Sequence, residues 1–359
     1  MEHDETPSAR SRRPVPHAVL RWVAVAVCVG LAVRSAGLGR REVADALGLF
    51  AHLDPVLIAA VLGLQIGWAF TLSRVMRSAV LAVGGRLRGG QALRISMAGF
   101  TLSRVVPGGG AAGGLFAMRE LTRLGQTPAV AVSAAVASWA TSVTSLAVLI
   151  LGGFVVVATL GQVPAVPVAP GITALAALAA AGGVVLGALH HDGWRRGLVA
   201  LAARTLRRIP AGRDLGALER AFAAIGHSRG RGRDLRAGFG WATGAWLCDA
   251  AALWLVFAAC GHRLSPAALL VGYGSANLLN SLPELTPGWL GVFEAALSAT
   301  YIGLGVPPGV AVAAVLVYRL ASFWLPVAAG IPPAVRSLGS ARHSVTRVQA
   351  PRCPVEVTA

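Results

Sequence analysis

The sequence predicts an all-α, polytopic membrane bundle of about eight spans plus a half-span, with broken helices that suggest an internal repeat. Three observations predict it. Of the residues, 55% are hydrophobic and only 13% charged, and the mean hydropathy is +0.66, a composition that excludes a soluble enzyme. Apolar runs recur at the roughly 20-residue length a hydrocarbon core requires. The basic residues, 32 arginines and no lysine against 15 acids, sit between those runs. That placement fits topogenic charge rather than one polar nucleic-acid-binding domain, so no nucleic-acid partner is expected.

The first span is expected near 18–36, behind Arg10, Arg12, Arg13 and Arg21 and a cytoplasmic tail of residues 1–17. It resembles a secretory signal, but no small-residue cleavage site leading into a soluble domain follows. Further spans are expected near 55–73, 129–157, 171–189, 238–260, 266–282, 289–304 and 309–331. The stretch 91–106 is apolar but short and carries Arg94 and Arg104, which makes it the half-span. With a cytoplasmic N-terminus, the inside segments hold 26 of the 32 arginines and the outside segments four, as the positive-inside rule demands. Both termini are therefore expected in the cytoplasm. The domain runs over 18–335, and a disordered cytoplasmic tail over 336–359.

The largest extramembrane piece, 190–237, has a helical stripe of Trp194, Leu198, Leu201 and Ile209, then Leu215, Leu218, Phe222 and Ile225, with arginines off the stripe. It reads as two interfacial helices that bind anionic inner-leaflet lipid at about 1 kcal/mol per arginine, or as topogenic charge alone. The cysteines, Cys28, Cys248, Cys260 and Cys353, form no CxxC or Cys/His cluster, so neither disulfide nor metal nor other cofactor is expected.

The most informative stretch is Arg104-Val-Val-Pro107-Gly108-Gly109-Gly110-Ala-Ala-Gly113-Gly114. Proline lacks a donor and glycine costs backbone entropy, so a break is expected here, with helix resuming over 115–124 and its free N–H groups aimed at an anionic headgroup. An ordinary cytoplasmic turn is the other reading. A counterpart occurs at Asn280-Ser-Leu-Pro283-Glu284-Leu-Thr286-Pro287-Gly288-Trp289-Leu-Gly291-Val-Phe293-Glu294. Under the expected span count both halves start inside, so the repeat would be parallel. Broken segments in corresponding halves point to a transporter's site. Thr-Leu-Ser-Arg-Val recurs at 71–75 and 101–105, within reach of chance in so biased a composition.

Ionisable residues within spans cost about 2.5–3.5 kcal/mol unpaired on the insertion scale. Asp249, Glu294 and Arg319 are such residues, and Arg319 is expected to be neutralised by Asp249 or Glu294. Ser138, Thr141, Ser142, Ser145, Asn277 and Asn280 are polar positions that line the same cavity or bond neighbouring helices.

At these residues the chain resembles the lysylphosphatidylglycerol synthase transmembrane family, also called flippase-like membrane proteins. The resemblance rests on Arg74, on Arg104 with Pro107-Gly108-Gly109 and Arg119, on Pro283-Glu284-Leu-Thr286-Pro287-Gly288 through Gly291 and Glu294, and on Tyr318-Arg319 with Trp324-Leu-Pro326. It covers about 18–335. It implies a multi-pass protein of a bacterial cell membrane that moves a lipid or lipid-linked glycan between leaflets and is not itself an enzyme. The implied substrate path comprises Arg74, Arg104, Pro107, Gly108, Gly109, Arg119, Asn280, Glu284, Pro287, Gly288, Gly291, Glu294 and Arg319, with Asp249 a candidate charge partner. The soluble aminoacyl-transferring domain of one branch is not expected, since only a short tail follows residue 331. Many relatives carry a Gly-Glu pair after the first break, where this chain has Ala111-Ala112-Gly113-Gly114; an acidic or neutral sugar-bearing headgroup suits the remaining arginines better. The alternatives are a membrane transferase, for which HExxH, GxSxG and a metal-binding Asp pair are all missing, and an accessory scaffold for a lipid or envelope synthase.

Overall fold

The computed structural model describes residues 54–106, 109–159, 169–188, 193, 197, 232–279 and 287–348. The expected first span, the amphipathic loop, Pro107, Gly108 and the segment from Asn280 to Thr286 with Glu284 lie outside them. The described elements are helices: α1 (Pro55–Ala82), α2 (Gly89–Val105), α3 (Gly109–Arg123), α4 (Pro128–Thr159), α5 (Ala169–Ala188), α6 (Gly232–Ala259), α7 (Pro266–Leu279), a 3₁₀ turn (Pro287–Trp289), α8 (Val292–Gly303), α9 (Pro308–Arg319), a π-helical segment (Leu320–Trp324) and α10 (Leu325–Val348).

Local chemistry sets the ends of α1. Asp54 caps it by accepting from the Val56 N–H at 2.8 Å, with Pro55 in the first turn, where its missing donor costs nothing. Gly84, at φ +84°, ends it by letting the Gly85 N–H return to the Val80 carbonyl at 2.9 Å. Gly261, at φ +78°, ends α6 in the same way through His262 and Phe257.

The antiparallel pair α1 and α6 is the spine. Gln65 meets Asp249, Gly67 meets Cys248, and Gly238 meets Ser78, so residue numbers rise on one helix as they fall on the other. Small residues at this seam let the backbones approach where hydrophobic burial gives no drive in lipid. α4 runs parallel to α6: Gly238 meets Thr141 and Ser145 bonds Thr243 at 2.7 Å, so residue numbers rise together, and the long Trp246 side chain reaches back to donate to the Ser142 main-chain carbonyl at 2.9 Å. Of these polar residues of α4, Ser145 thus joins helices through its side chain. The main apolar core lies around Leu253, Phe257, Leu297, Tyr301 and Val315, while Val56, Ile66, Leu115, Trp139 and Leu320 face outward, as a lipid-exposed surface requires.

Between α1 and α4 the chain makes a hairpin. α2 goes in along α1, with Trp68 packed edge-on against Phe100 at 5.0 Å, so the far end of α2 lies beside the middle of the spine. α3 comes back, and its mouth is fastened by a reciprocal bond: Arg86 N–H to Gln126 Oε1 and Gln126 Nε2 to the Arg86 carbonyl. The half-span therefore re-enters and returns to the side it left. The glycine run is helical from Gly109 onward, a correction to the expected break over 107–114. Helix propensity is overruled by packing: a Cβ on Gly113 would lie 2.6 Å from the Gly99 carbonyl oxygen, so the missing side chain is what brings α2 and α3 together.

A second hairpin follows α6. Among the described residues α7 covers 14 and α8 covers 12, about 21 and 18 Å at 1.5 Å per residue, less than a hydrocarbon core of about 30 Å. The expected full crossings at 266–282 and 289–304 are therefore two arms of one re-entrant unit. Tyr301 near the end of α8 lies against Gly272 of α7 and packs 4.5 Å from Phe257 near the end of α6, which returns α8 to the side from which α7 set out. Since α1 and α6 are antiparallel, the two hairpins enter from opposite faces. The repeat is inverted, not parallel.

Four helices among the described residues are long and apolar enough to cross: Pro55–Ala82, Pro128–Val156, Gly232–Ala259 and the joined Pro308–Ser337. α10 continues to Val348, so 336–348, expected as disordered tail, is helical; hydrocarbon thickness does not limit a helix that leaves the membrane. α10 packs on α2, where a Cβ on Gly330 would collide with Thr101 and Met97, and the Thr101 hydroxyl donates to the Val327 carbonyl at 3.1 Å.

Candidate functional site

The hairpin tips meet. A Cβ on Gly288 would collide with the Phe323 ring and come within 3.3 Å of the Arg104 carbonyl oxygen. The second tip is strained backbone: Gly288, Trp289 and Gly291 have φ of +59°, +55° and +85°, and a positive φ is rare for a residue as bulky as tryptophan.

Arg319 sits at this junction. Its Nε donates to Glu294 Oε1 at 2.6 Å and an Nη to the Gly288 carbonyl at 2.9 Å. Phe293 and Phe323 lie against the guanidinium, with ring centres at 4.4 and 4.3 Å; cation–π contact strengthens when desolvated. The other Glu294 oxygen accepts from the Gly291 N–H at 2.7 Å, capping α8 at the end where its dipole favours negative charge. Arg319 and Glu294 are 6% exposed each, so this is a buried, fully engaged ion pair. Of the two acids expected to neutralise Arg319, the partner is Glu294; Asp249 is not.

The π segment places Phe323. Pro326 has no N–H to give the Ser322 carbonyl, and the wider π turn at Leu320–Trp324 absorbs that missing bond immediately after Arg319. Such π turns often occur at functional sites.

Asp249 instead accepts at Oδ2 from Tyr273 at 3.0 Å and Tyr318 at 2.9 Å, while Gln65 Nε2 is 3.4 Å from Oδ1. Arg104 is within electrostatic reach of it and stacks 5.3 Å from the Phe100 ring.

The remaining expected residues separate. Arg74 lies over Phe70 and Trp241 on the outer flank of the spine, at 4.7 and 5.7 Å. Arg119 is exposed on α3. Gly109 opens α3, and Pro287 opens the second tip. Asn277 donates to the Tyr273 carbonyl within α7. Sequence reasoning missed Gln65, Tyr273 and Phe323, and named Phe293 only as part of the second Pro-Gly stretch without a role at the site. Gln65 alone had a signal, a lone amide in the apolar run Leu64-Gln65-Ile66.

Two half-membrane hairpins that approach from opposite faces around a buried ion pair define a class: polytopic proteins with inverted broken-helix repeats. The chain belongs to the family described as the lysylphosphatidylglycerol synthase transmembrane region, whose model matches residues 19–330. Two relatives in Methanothermobacter thermautotrophicus (strain Delta H), each called a UPF0104 membrane protein, are 36% and 34% identical over 86 residues. That match spans 24% of this chain and 25% of each relative.

Proposed function

We propose that this protein moves the headgroup of a lipid or lipid-linked glycan between leaflets, along a polar path formed where the two hairpin tips meet. The observation that carries this reading is the Arg319–Glu294 pair at the junction of hairpins entering from opposite faces. A guanidinium binds phosphate oxygens with paired hydrogen bonds as readily as carboxylate, so a passing phosphate displaces Glu294 from Arg319, and Glu294 takes the guanidinium back when the lipid leaves. Exchanging one anion for another avoids an uncompensated buried charge, the costly alternative. Arg104 supplies a second cation at the opposing tip, and the acyl chains remain in lipid.

Arg86, Arg88, Arg123, Arg233 and Arg336 cluster at the face bearing the end of α1, and Arg263 lies at the other. This asymmetry supports a cytoplasmic position for the first face and for the end of α10, and, with the expected first span, for the N-terminus. The protein acts as a carrier in the cell membrane rather than as an enzyme, and the segment 190–237 holds anionic inner-leaflet lipid.

The test is reconstitution into proteoliposomes carrying phosphatidylglycerol or a phosphate-linked glycolipid, with leaflet-specific chemical labelling of headgroups. The wild type accelerates transfer, and Arg319→Ala abolishes the acceleration. No acceleration by the folded wild type with either lipid overturns the reading.

A further inference from the structure

Asp249 is a buried carboxylate that the Arg319–Glu294 exchange leaves unused. It is 9% exposed, and its hydrogen-bonding neighbours Gln65, Tyr273 and Tyr318 are 2%, 2% and 4% exposed. Every direct partner is neutral: Tyr273 from α7, Tyr318 from α9 and Gln65 from α1. Arg104 reaches it from α2 through space, and Cys248 adjoins it on α6. α4, which also packs on α6, has no ionisable residue.

Gln65 is the informative partner. Its amide donates over a long 3.4 Å, and its Oε1 is buried with no hydrogen-bond partner among the described residues. A buried amide oxygen left unsatisfied is costly. A proton on Asp249 Oδ1 gives Oε1 a donor: half a turn of the carboxamide lets Oε1 accept from the new O–H in place of the long Nε2 contact, while Tyr273 and Tyr318 continue to donate to Oδ2. The ionised and the neutral acid thus both find partners within one packing, the amide serving as donor to the first and acceptor to the second. A metal cation fits less well, because it needs lone pairs and both tyrosine hydroxyls direct protons at the carboxylate.

We propose that Asp249 is a reversible proton-binding site with Gln65 as its switching amide, and that it couples headgroup transfer to proton movement. The first half stands alone; the coupling rests on the translocation reading. The route is short: Tyr318 adjoins Arg319 in the chain, and Tyr273 stands on an arm of the second hairpin. Loading or releasing the proton changes the tethers on both sides of the Arg319–Glu294 junction.

Two experiments on the full chain in lipid separate the halves. Infrared spectra recorded across a pH titration show a carboxylic-acid carbonyl band in the wild type that fades as pH rises. The band is absent in Asp249→Asn and shifts to higher frequency in Gln65→Leu, where the acid loses its acceptor. A spectrum identical in wild type and Asp249→Asn across the range overturns the proton site. In proteoliposomes clamped at zero potential, a one-unit pH gradient displaces the steady-state leaflet ratio of labelled phosphatidylglycerol by about tenfold per coupled proton, and Asp249→Asn leaves the ratio unmoved. Wild-type transfer that ignores the gradient overturns the coupling. No transfer at all, with the infrared band present, overturns the translocation reading and leaves the proton site standing.

Discussion

The two hairpins meet tip to tip but are held by different forces. The first is a backbone device: α2 and α3 close on each other at Gly99 and Gly113, a reciprocal pair of hydrogen bonds fastens the mouth, and α10 supports one side through Gly330. The second has shorter arms and a tip of left-handed residues, and its order depends on a charge from outside the hairpin, Arg319. The first should therefore be sensitive to volume and the second to charge.

The largest effect tests the second hairpin. Arg319→Ala or Glu294→Ala leaves one buried charge without its partner, and each lowers stability by about 3–5 kcal/mol, read by thermal unfolding in detergent. The double variant Arg319→Met with Glu294→Gln loses less than either single change, because no bare charge remains. Next is the first hairpin: Gly113→Ala places a methyl group 2.6 Å from the Gly99 carbonyl oxygen, must push the two backbones apart and costs about 1–3 kcal/mol. Gly114→Ala, one residue along with nothing within 4 Å of its Cβ, stabilises by about 0.5–1 kcal/mol. That change of sign between neighbours is the sharpest test of packing in this hairpin.

A partly exposed pair ranks lower. Arg123 donates to Glu120 at 3.0 Å and to the Ser337 carbonyl at 2.8 Å, and Arg123→Ala costs about 1 kcal/mol. Arg119→Ala, at an exposed site, stays within about 0.5 kcal/mol and leaves transfer unchanged if Arg119 lies off the path.

The membrane class, the spans at 55–73, 129–157, 238–260 and 309–331, and the junction residues Arg319 and Glu294 were legible, because apolar length and the cost of intramembrane charge act through sequence alone. The choice of Glu294 over Asp249 was not: both acids lie in apolar helices, and only tertiary register aligns one with Arg319. The glycine run misled because propensity counts the entropy of Gly113 but not the neighbour its missing Cβ admits. The second hairpin passed for two spans because both arms are apolar and only a tertiary contact, Tyr301 against Gly272, pairs them, and that count hid the inversion. Tyr273 and Phe323 give no periodic signal on helices that are apolar all round.

The account depends on hairpins that enter from opposite faces. In a chain with Cys28, Cys248, Cys260 and Cys353 replaced by alanine, single cysteines at Arg88, Thr127, Arg263 and Pro307 mark the mouths of the two hairpins. A membrane-impermeant thiol reagent applied to one side of oriented vesicles should label Arg88→Cys and Thr127→Cys together, and Arg263→Cys and Pro307→Cys only from the other side. Labelling of Arg88→Cys and Thr127→Cys from opposite sides, or of all four from one, contradicts it.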